Sequence, residues 1–506
     1  MSSLLSTSAS TGASAGAAAP VPSPASVAPA PAPAPAPTLL PYQVPHVKAL
    51  CEVLKAQGRA LDLSQTGTGK SYTSAAICAT LGLKPLIVCP KSLISMWVKV
   101  LDLFQVKMYG IANYEMITAG KYFIPSNINT PIKCPFVEKV TTFNSNDIEN
   151  DYKTKKDTNE LHFTYSWSTP QDMILIMDEA HRCKNPRTQP TMLLHTASET
   201  KLKILLLSAT LADKPDMFIL PAFTLKIVPT IQDAKQWVKQ QGHLNTTRMG
   251  KIHDVLFPKY ASRMRMEHEM FQENNIKAQC YPMDNSDQIE QQYKLIEEAL
   301  RKLRMKEASS SCALTQILYA RMKIEQLKVP TIIKEAKEEL QKGKSVAIFV
   351  NFMDTLVTLS NELQTNCMIY GQQTVKQRDA CVDAFQTDKE RVILCNIKSG
   401  GVGISLHDTN GTYPRVSLVS PSWSAQDILQ SLGRVHRANG KTPVTQKIIF
   451  CEGTIEEKVC QNMSSKIYNI SQLNDGDMLS HQIDGLSDLL PTDPEKIIKD
   501  FRTMTI

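Results

Sequence analysis

Apolar residues fall along this chain in two textures. One is a short run with at most one polar residue. Ala60–Leu63, Leu86–Cys89, Met173–Met177 and Ile204–Leu207 are such runs in the first half; Val346–Val350, Val392–Cys395, Val416–Val419 and Ile448–Phe450 follow in the second. Runs of this length predict strands of a parallel sheet covered on both faces. The other texture is helical spacing between the runs, as in Tyr72–Leu81. The alternation occurs twice, so the pattern predicts an α/β chain with two parallel-sheet lobes, residues 41–265 and 334–470. Residues 266–333 between them read as a mostly helical insertion. There Ile289, Tyr293, Ile296, Leu300 and Leu303 form one apolar stripe with charged flanks, expected to pack within the same chain.

Three stretches break the rhythm. Residues 1–40 are rich in Ser, Ala, Thr and Pro, and no Lys, Arg, Asp or Glu precedes Lys48. Such a segment buries no core and is expected to be a disordered, partly polyproline tether. The segment of about residues 122–170 is polar and weakly patterned, and reads as an insertion in the first lobe. Residues 471–506 carry several Asp and no strand pattern, and read as a terminal cap or tail. The tether and the helical insertion are the two places where a protein partner would dock.

Composition removes some classes. Of 506 residues, 42% are hydrophobic and 21% charged, as in ordinary globular domains. No apolar run approaches the ~20 residues that span a bilayer, so no membrane partner is expected. The first residues lack the basic start of a secretory signal and the arginines of a transit peptide. The twelve cysteines contain no C-x-x-C pair or zinc ladder, and Cys89 and Cys395 sit inside apolar strands. A reducing compartment without disulfides follows, the nucleus or cytoplasm. The net charge of +7 suits a nucleic-acid partner without specifying one.

The chemistry centres on Ser64-Gln65-Thr66-Gly67-Thr68-Gly69-Lys70-Ser71, between a strand and a helix. Gly67 and Gly69 let backbone N–H groups converge on one anion. Lys70 adds a charge on the outer phosphates, and the Ser71 hydroxyl can bind magnesium. The usual glycine at the first position is Ser64 here, still small enough for the turn. Asp178-Glu179-Ala180-His181 follows an apolar strand directly, where ligands bind in open α/β sheets. Asp178 is a magnesium ligand and Glu179 a general base for water; with Lys70 they form a machinery for hydrolysing ATP. Ser208-Ala209-Thr210 after the next strand would hydrogen-bond the acidic loop and report nucleotide state. In the second lobe, Gly400-Gly401-Val402-Gly403 permits close approach to a ligand or phosphate backbone. Gln430, Arg434 and Arg437 are spaced to share one helix face, and the two arginines read as fingers reaching a nucleotide across a cleft.

In this order the motifs resemble superfamily II helicases and translocases, from about Leu40 to Lys466. The resemblance implies two RecA-like lobes that clasp ATP between them and nucleic acid across their tops. It supplies Gln43 as an adenine reader and places Gly403 with the nucleotide-binding residues. His181 and Gln430 become couplers of the lobes, and Lys91, Ser92, Gly400 and Gly401 contacts to the nucleic-acid backbone. Within the superfamily the chain is most similar to the Swi/Snf-related ATPases. Pro90-Lys91-Ser92-Leu93 with Trp97 is similar to their backbone-touching second motif. Asn113-Tyr114-Glu115 resembles their Thr-Tyr-Glu element, and Arg263 with Arg265 their Arg-rich segment. Lys184-Asn185 and Gly453-Thr454-Ile455-Glu456-Glu457 are the most distinctive matches. The glycine loop and Ser208-Ala209-Thr210-Leu211 depart from that group, the former toward DEAD-box proteins. Three readings stay open: a translocase on duplex DNA, which the signatures favour; an RNA helicase; and a catalytically silent scaffold. Compact cores of this kind resemble helicase-like proteins of large DNA viruses, where packaging in the virion is one expectation, and of some repair and transcription systems.

Overall fold

The computed structural model describes residues 39–142, 162–186, 188–242, 244–266, 270–305, 309–400, 403–422 and 424–475. The expected N-terminal tether up to residue 38, the glycine at 401 and residues 476–506 lie outside them.

Ten strands belong to the first lobe: β1 (Arg59–Asp62), β2 (Lys84–Val88), β3 (Gly110–Ala112), β4 (Lys121–Ile124), β5 (Asn127–Lys133), β6 (Val137–Thr142), β7 (His162–Trp167), β8 (Met173–Asp178), β9 (Lys203–Leu207) and β10 (Ala261–Ser262). Eight of them make one sheet in the order β10-β1-β9-β8-β2-β3-β4-β5. It is parallel from β10 to β3, and β4 and β5 add to it antiparallel. Strands β1, β8 and β9 are apolar throughout except at their ends, because helices cover both faces. One core packs Leu61, Leu86, Leu175 and Leu206 on one face; a second packs Ala60, Ile87, Ile176 and Leu205 on the other. β8 and β9 align Asp178 with Leu207, and β1 aligns Asp62 with the same Leu207. The carboxyl ends of the three central strands are therefore level, and their loops share one edge.

The segment around residues 122–170 is more ordered than its pattern suggests. Besides β4 and β5 it contributes β6 and β7, which pair antiparallel as a separate two-stranded sheet. Tyr122, Cys134, Val137 and Tyr165 enter the first-lobe core, at a spacing too irregular to show as a period.

The second sheet has the order β11-β16-β15-β12-β14-β13, all parallel, from β11 (Asn274–Tyr281), β12 (Ser345–Val350), β13 (Met368–Ile369), β14 (Val392–Asn396), β15 (Arg415–Val419) and β16 (Val444–Cys451). Two cores again cover its faces. The reading of residues 266–333 as mostly helical missed β11. This is an edge strand, with Ile276, Ala278 and Cys280 turned to the core and polar residues between them. That period of two was present in the sequence. The expected stripe follows on the helix Ser286–Arg304: Ile289, Tyr293 and Ile296 are buried, and Leu300 packs against them.

The final helix, Glu456–Asp475, overruns the boundary expected at residue 470. Ser471, Leu473, Asn474 and Asp475 are all buried, so the beginning of the expected tail is packed structure. Among the described residues no helix is long and apolar enough to cross a membrane.

Candidate active site at the junction of the two lobes

The glycine loop is held at its start by polar bonds that its motif does not advertise. Asp62, buried at the end of β1, accepts the Ser64 N–H at 2.8 Å and pairs with His46 at 3.1 Å. Ser64, in place of a glycine, accepts the Met264 N–H on its hydroxyl at 2.9 Å. Gln65 accepts from Met266 N–H at 2.6 Å, and Thr68 donates its hydroxyl back to the Gln65 carbonyl at 2.8 Å. The turn itself needs Gly67 (φ 87°) and Gly69 (φ 92°) in a region that side chains avoid. A methyl on Gly69 would also strike the Gln43 amide. Helix Lys70–Leu81 starts at once, so its free N–H groups open onto the loop. Lys70 Nζ lies at the loop's centre, donating to the carbonyls of Ser64 and Gln65 at 2.9 and 3.1 Å.

Asp178 ends β8, and Glu179 follows with φ 58°, a strained left-handed setting for a non-glycine residue. Both are buried. Trp97 donates its indole N–H to Asp178 at 2.9 Å, and Tyr114 donates to the Asp178 carbonyl at 2.7 Å. His181 Nδ1 lies 3.2 Å from Glu179 and 3.3 Å from the Ser208 hydroxyl, which in turn accepts the Thr210 N–H at 3.2 Å. The expected link from the acidic loop to Ser208 and Thr210 therefore exists as a hydrogen-bonded chain.

The second lobe reaches this edge at several points. Gln430 donates to Glu179 at 3.1 Å, Gln426 donates to the Thr210 carbonyl at 2.7 Å, and Lys184 donates to Gln426. The helix of Gln430 is Ala425–Leu432, so Arg434 and Arg437 do not share its face as the spacing predicted. Gly433 ends that helix, and the arginines lie on the turn beyond. The turn passes so close to the glycine loop that a methyl on Gly433 would overlap Thr66, whose Cβ lies 2.7 Å from that position. A methyl on Gly67 would lie 3.1 Å from Arg437 Cγ. Despite the shortened helix, Arg434 is buried and Arg437 half-buried beside the loop, and Arg437 donates to the Ile404 carbonyl at 2.9 Å.

Burial and mutual charge set the electrostatics. Desolvation raises the Asp178 carboxyl, and the adjacent Glu179 raises it further against the Trp97 bond. Glu179 is desolvated too, but the hydrogen bond and charge of His181, with Lys70 and Arg434, bring it below the usual carboxylate range. Desolvation lowers Lys70, opposed by Glu179, Asp62 and Asp178. It lowers Arg434 to about 10 and, with Arg434 as neighbour, Arg437 to about 9. Two carboxyls, a lysine and two arginines gather at this edge, and the charges of Asp178, Glu179, Lys70 and Arg434 act on one another.

Sequence comparison decides what this assembly belongs to. Residues 36–213 match the family described as type III restriction enzyme, res subunit, and residues 327–439 match the helicase conserved C-terminal domain. A protein of Acanthamoeba polyphaga mimivirus, with the provisional name of ATP-dependent RNA helicase, is 35% identical over 88% of this chain and 85% of its own. The chain belongs to the superfamily II helicases. It is an ATP-hydrolysing enzyme of that superfamily. The human DNA repair and recombination protein RAD54B is 28% identical over 30% of this chain, which spans 17% of it. The Sulfolobus solfataricus SWI2/SNF2 ATPase core in complex with dsDNA covers 88% of this helicase and 94% of its own chain, at 15% identity and a TM-score of 0.33.

The remaining expected residues fall in two places. Gln43 uses its amide within the lobe: it donates to the Thr68 carbonyl at 2.9 Å and accepts the Leu40 N–H at 2.9 Å. Ser71 is half-buried in the first turn of its helix. Lys91 and Ser92 are exposed at the start of a short helical turn. Gly403, expected at the nucleotide, lies instead beside them: the atoms nearest a methyl there belong to Leu93 and Ser92. Gly400 ends the short helix Ile397–Gly400. Trp97, expected with the backbone-touching motif, is buried beneath Asp178. Sequence reasoning assigned no role at the acidic strand to Trp97 or Tyr114, and none to the His46–Asp62 pair. An apolar residue with one polar tip, or a polar residue inside an apolar run, is the signal that was there to use.

Proposed function

We propose that the helicase hydrolyses ATP between its lobes and uses the cycle to move along duplex DNA. The observation that carries the ATP site is the convergence of the two lobes on one pocket. Glu179 and the glycine loop come from one side; Gln430, Arg434 and Arg437 come from the other. Lys70 and the loop N–H groups hold the outer phosphates, and the helix start adds its dipole. Glu179, kept ionised by His181, takes the proton of the attacking water. Arg434 and Arg437 stabilise charge on the transferring phosphoryl group, a contribution of about 10³ to 10⁵ in rate for such fingers. Gln43 stands beside the loop as the adenine reader.

Magnesium suits this donor set. Among the described residues no cluster of three or more His, Cys, Asp or Glu forms a metal cage. A magnesium ion needs none, because a carboxylate, a hydroxyl, phosphate oxygens and water complete its shell. Asp178 and Ser71 supply the two protein ligands, and Trp97 fixes the Asp178 carboxylate. When bound, the ion neutralises charge on the phosphates.

Duplex DNA is favoured by Lys184 and by the Gly453–Glu457 signature, both similar to the Swi/Snf group. Grip on the track is assigned to Lys91, Ser92, Gly400 and Gly401, which would meet phosphates and not base edges. The provisional name of the mimivirus relative favours RNA as the second reading. That relative also supports a viral setting, with the host nucleus or cytoplasm as the place of work. Steady-state ATP hydrolysis with no nucleic acid, duplex DNA, single-stranded DNA and single-stranded RNA tests the choice, with Lys70→Ala as control. Strong stimulation by duplex DNA, lost in the control, is expected. Stimulation by RNA alone overturns the DNA reading, and no hydrolysis under any condition overturns the catalytic roles given to these residues.

A further inference from the structure

The last helix, Glu456–Asp475, belongs to both lobes. Met463, Ile467 and Ile470 lie in the second-lobe core, whereas Leu473, one turn on, lies in the first-lobe core. Its final residues grip the first lobe by polar bonds. Asn469 donates to the Asp213 carbonyl at 3.1 Å, and Asn474 donates to the Ala209 carbonyl at 2.9 Å. Asp475 has no exposed side-chain surface. It receives Arg263 in a two-pronged pair, 2.5 Å to one oxygen and 2.8 Å to the other, and Arg265 at 2.8 Å.

Arg263 does not stop at Asp475. Its remaining nitrogen donates to the carbonyl of Leu63, the residue before the glycine loop. The segment that follows Arg263 forms the loop's outer wall. Leu63 N–H donates to Ser262 at 3.1 Å and Gln65 N–H to Met264 at 3.1 Å, while Met264 and Met266 donate to the side chains of Ser64 and Gln65. The carbonyls that meet Lys70 are those of Ser64 and Gln65. A continuous path therefore runs from a carboxylate at the far end of a second-lobe helix to the lysine of the phosphate loop. A fork-shaped guanidinium fixes direction as well as charge, so its orientation by Asp475 sets where the Leu63 carbonyl sits.

We propose that Asp475 is a positioning residue for nucleotide binding, holding the glycine loop in shape through Arg263. This rests on the reading of the pocket as the ATP site. The alternative is that the helix end only clasps the lobes together. Leu473 separates the two, because it contributes to the clasp but has no bond to the Arg263 path.

The experiment compares Asp475→Asn with Leu473→Ala in the full chain. Affinity for a fluorescent ADP analogue is read by titration, and ATPase KM and kcat are read separately. Asp475→Asn is expected to weaken the analogue and raise KM about ten-fold, the loss that follows a ~1 Å displacement of a few phosphate contacts. Leu473→Ala is expected to stay within about two-fold in affinity while lowering kcat. Equal loss of affinity in both variants overturns the proposal, as does unchanged affinity in Asp475→Asn. Should Asp475→Asn fail to fold, Arg265→Gln carries the test, since that side chain is partly exposed and pairs with Asp475. A loss of about three-fold then supports the proposal and an unchanged affinity overturns it. Failure of the wild type to bind the analogue or hydrolyse ATP would instead overturn the underlying ATP-site reading.

Discussion

Replacing Gly433 with alanine adds one methyl group at the narrowest point between the lobes. The backbone there has φ −73°, which alanine adopts freely, so the change brings no local strain. It also restricts the unfolded chain, a gain of about 0.4–1 kcal/mol in a compatible site. The cost falls elsewhere. The new carbon would stand 2.7 Å from Thr66 Cβ, and a Cβ cannot rotate out of the way. Ordinary carbon contacts need ~3.5–4.0 Å, so the glycine loop and the arginine turn must separate by about 1 Å. Arg434 and Arg437 move with that turn. A displacement of that size in a catalytic group costs about 10²-fold in rate, or about 2.7 kcal/mol of transition-state stabilisation. Lys70 and Ser71 stay with the first lobe, so binding should survive. The expected result is kcat lower by about 10², ADP affinity within about three-fold, and a thermal midpoint within a few degrees of wild type. Steady-state kinetics, an ADP titration and thermal unfolding read these three quantities. A Gly433→Ala enzyme turning over within a factor of three of wild type would show that the contact between turn and loop is not part of the catalytic arrangement.

Other substitutions separate the remaining roles. Glu179→Gln keeps the shape of the side chain and removes the base, so turnover should fall by about 10²–10⁴ with ADP affinity preserved; normal hydrolysis would remove the base assignment. Protons and magnesium compete for Asp178, which burial and then Glu179 hold above the usual carboxylate range. Activity at fixed magnesium should therefore rise with pH through the acid range toward neutrality, and more magnesium should move the midpoint to lower pH. A midpoint indifferent to magnesium would refute that competition. Trp97→Phe deletes the bond that lowers Asp178, so the half-saturating magnesium should increase, more at pH 6 than at pH 8; equal change at both values would rule out the indole as the cause. Lys328→Ala strands the buried Glu456 without its 2.5 Å partner and should cost about 3–5 kcal/mol, read by denaturant unfolding, while a loss below 1 kcal/mol would mean that Glu456 is satisfied without the lysine.

The sheets were legible because a strand covered on both faces must be apolar at every position. Leu86 to Val88 and Ile204 to Leu207 are too short for helices and are separated by helical patterns, which favours strands. β11 was harder. Asn274-Asn275-Ile276-Lys277 puts half its residues toward water, and two leading asparagines argue for a turn. The phosphate loop and the acidic pair were legible because their chemistry is local, with every atom that matters within eight residues of chain. The supports of Asp178 were not. Trp97 is 81 residues from its partner and Tyr114 is 64, and nothing in a local window links them. The arginine turn failed for a different reason. The spacing of Gln430, Arg434 and Arg437 assumed one continuous helix, whereas Gly433 ends that helix and leaves room for Thr66 on the other lobe.

The Gly453-Thr454-Ile455-Glu456-Glu457 signature has no atom in the pocket, yet the structure gives it work. Glu456 accepts from Tyr293 at 2.9 Å and from the Cys451 N–H at 2.7 Å while pairing with Lys328; Ile455 N–H donates to Glu290 at 2.9 Å. The start of the last helix is thereby pinned to the helical insertion. At its other end Leu473 enters the first-lobe core and Asp475 pairs with Arg263 and Arg265, and Asn469 and Asn474 donate side-chain amides to backbone carbonyls, as Gln426 does from the neighbouring helix. Each such bond is worth about 0.5–1.5 kcal/mol net, because water replaces it on release. An apolar interface of similar extent would resist opening far more, since its loss exposes surface at about 25 cal/mol per Å². A helix pinned at one end to its own lobe, and held at the other by these amide bonds, a buried carboxylate between two arginines and one leucine, suits the proposed cycle, in which the second lobe completes the pocket and then releases it.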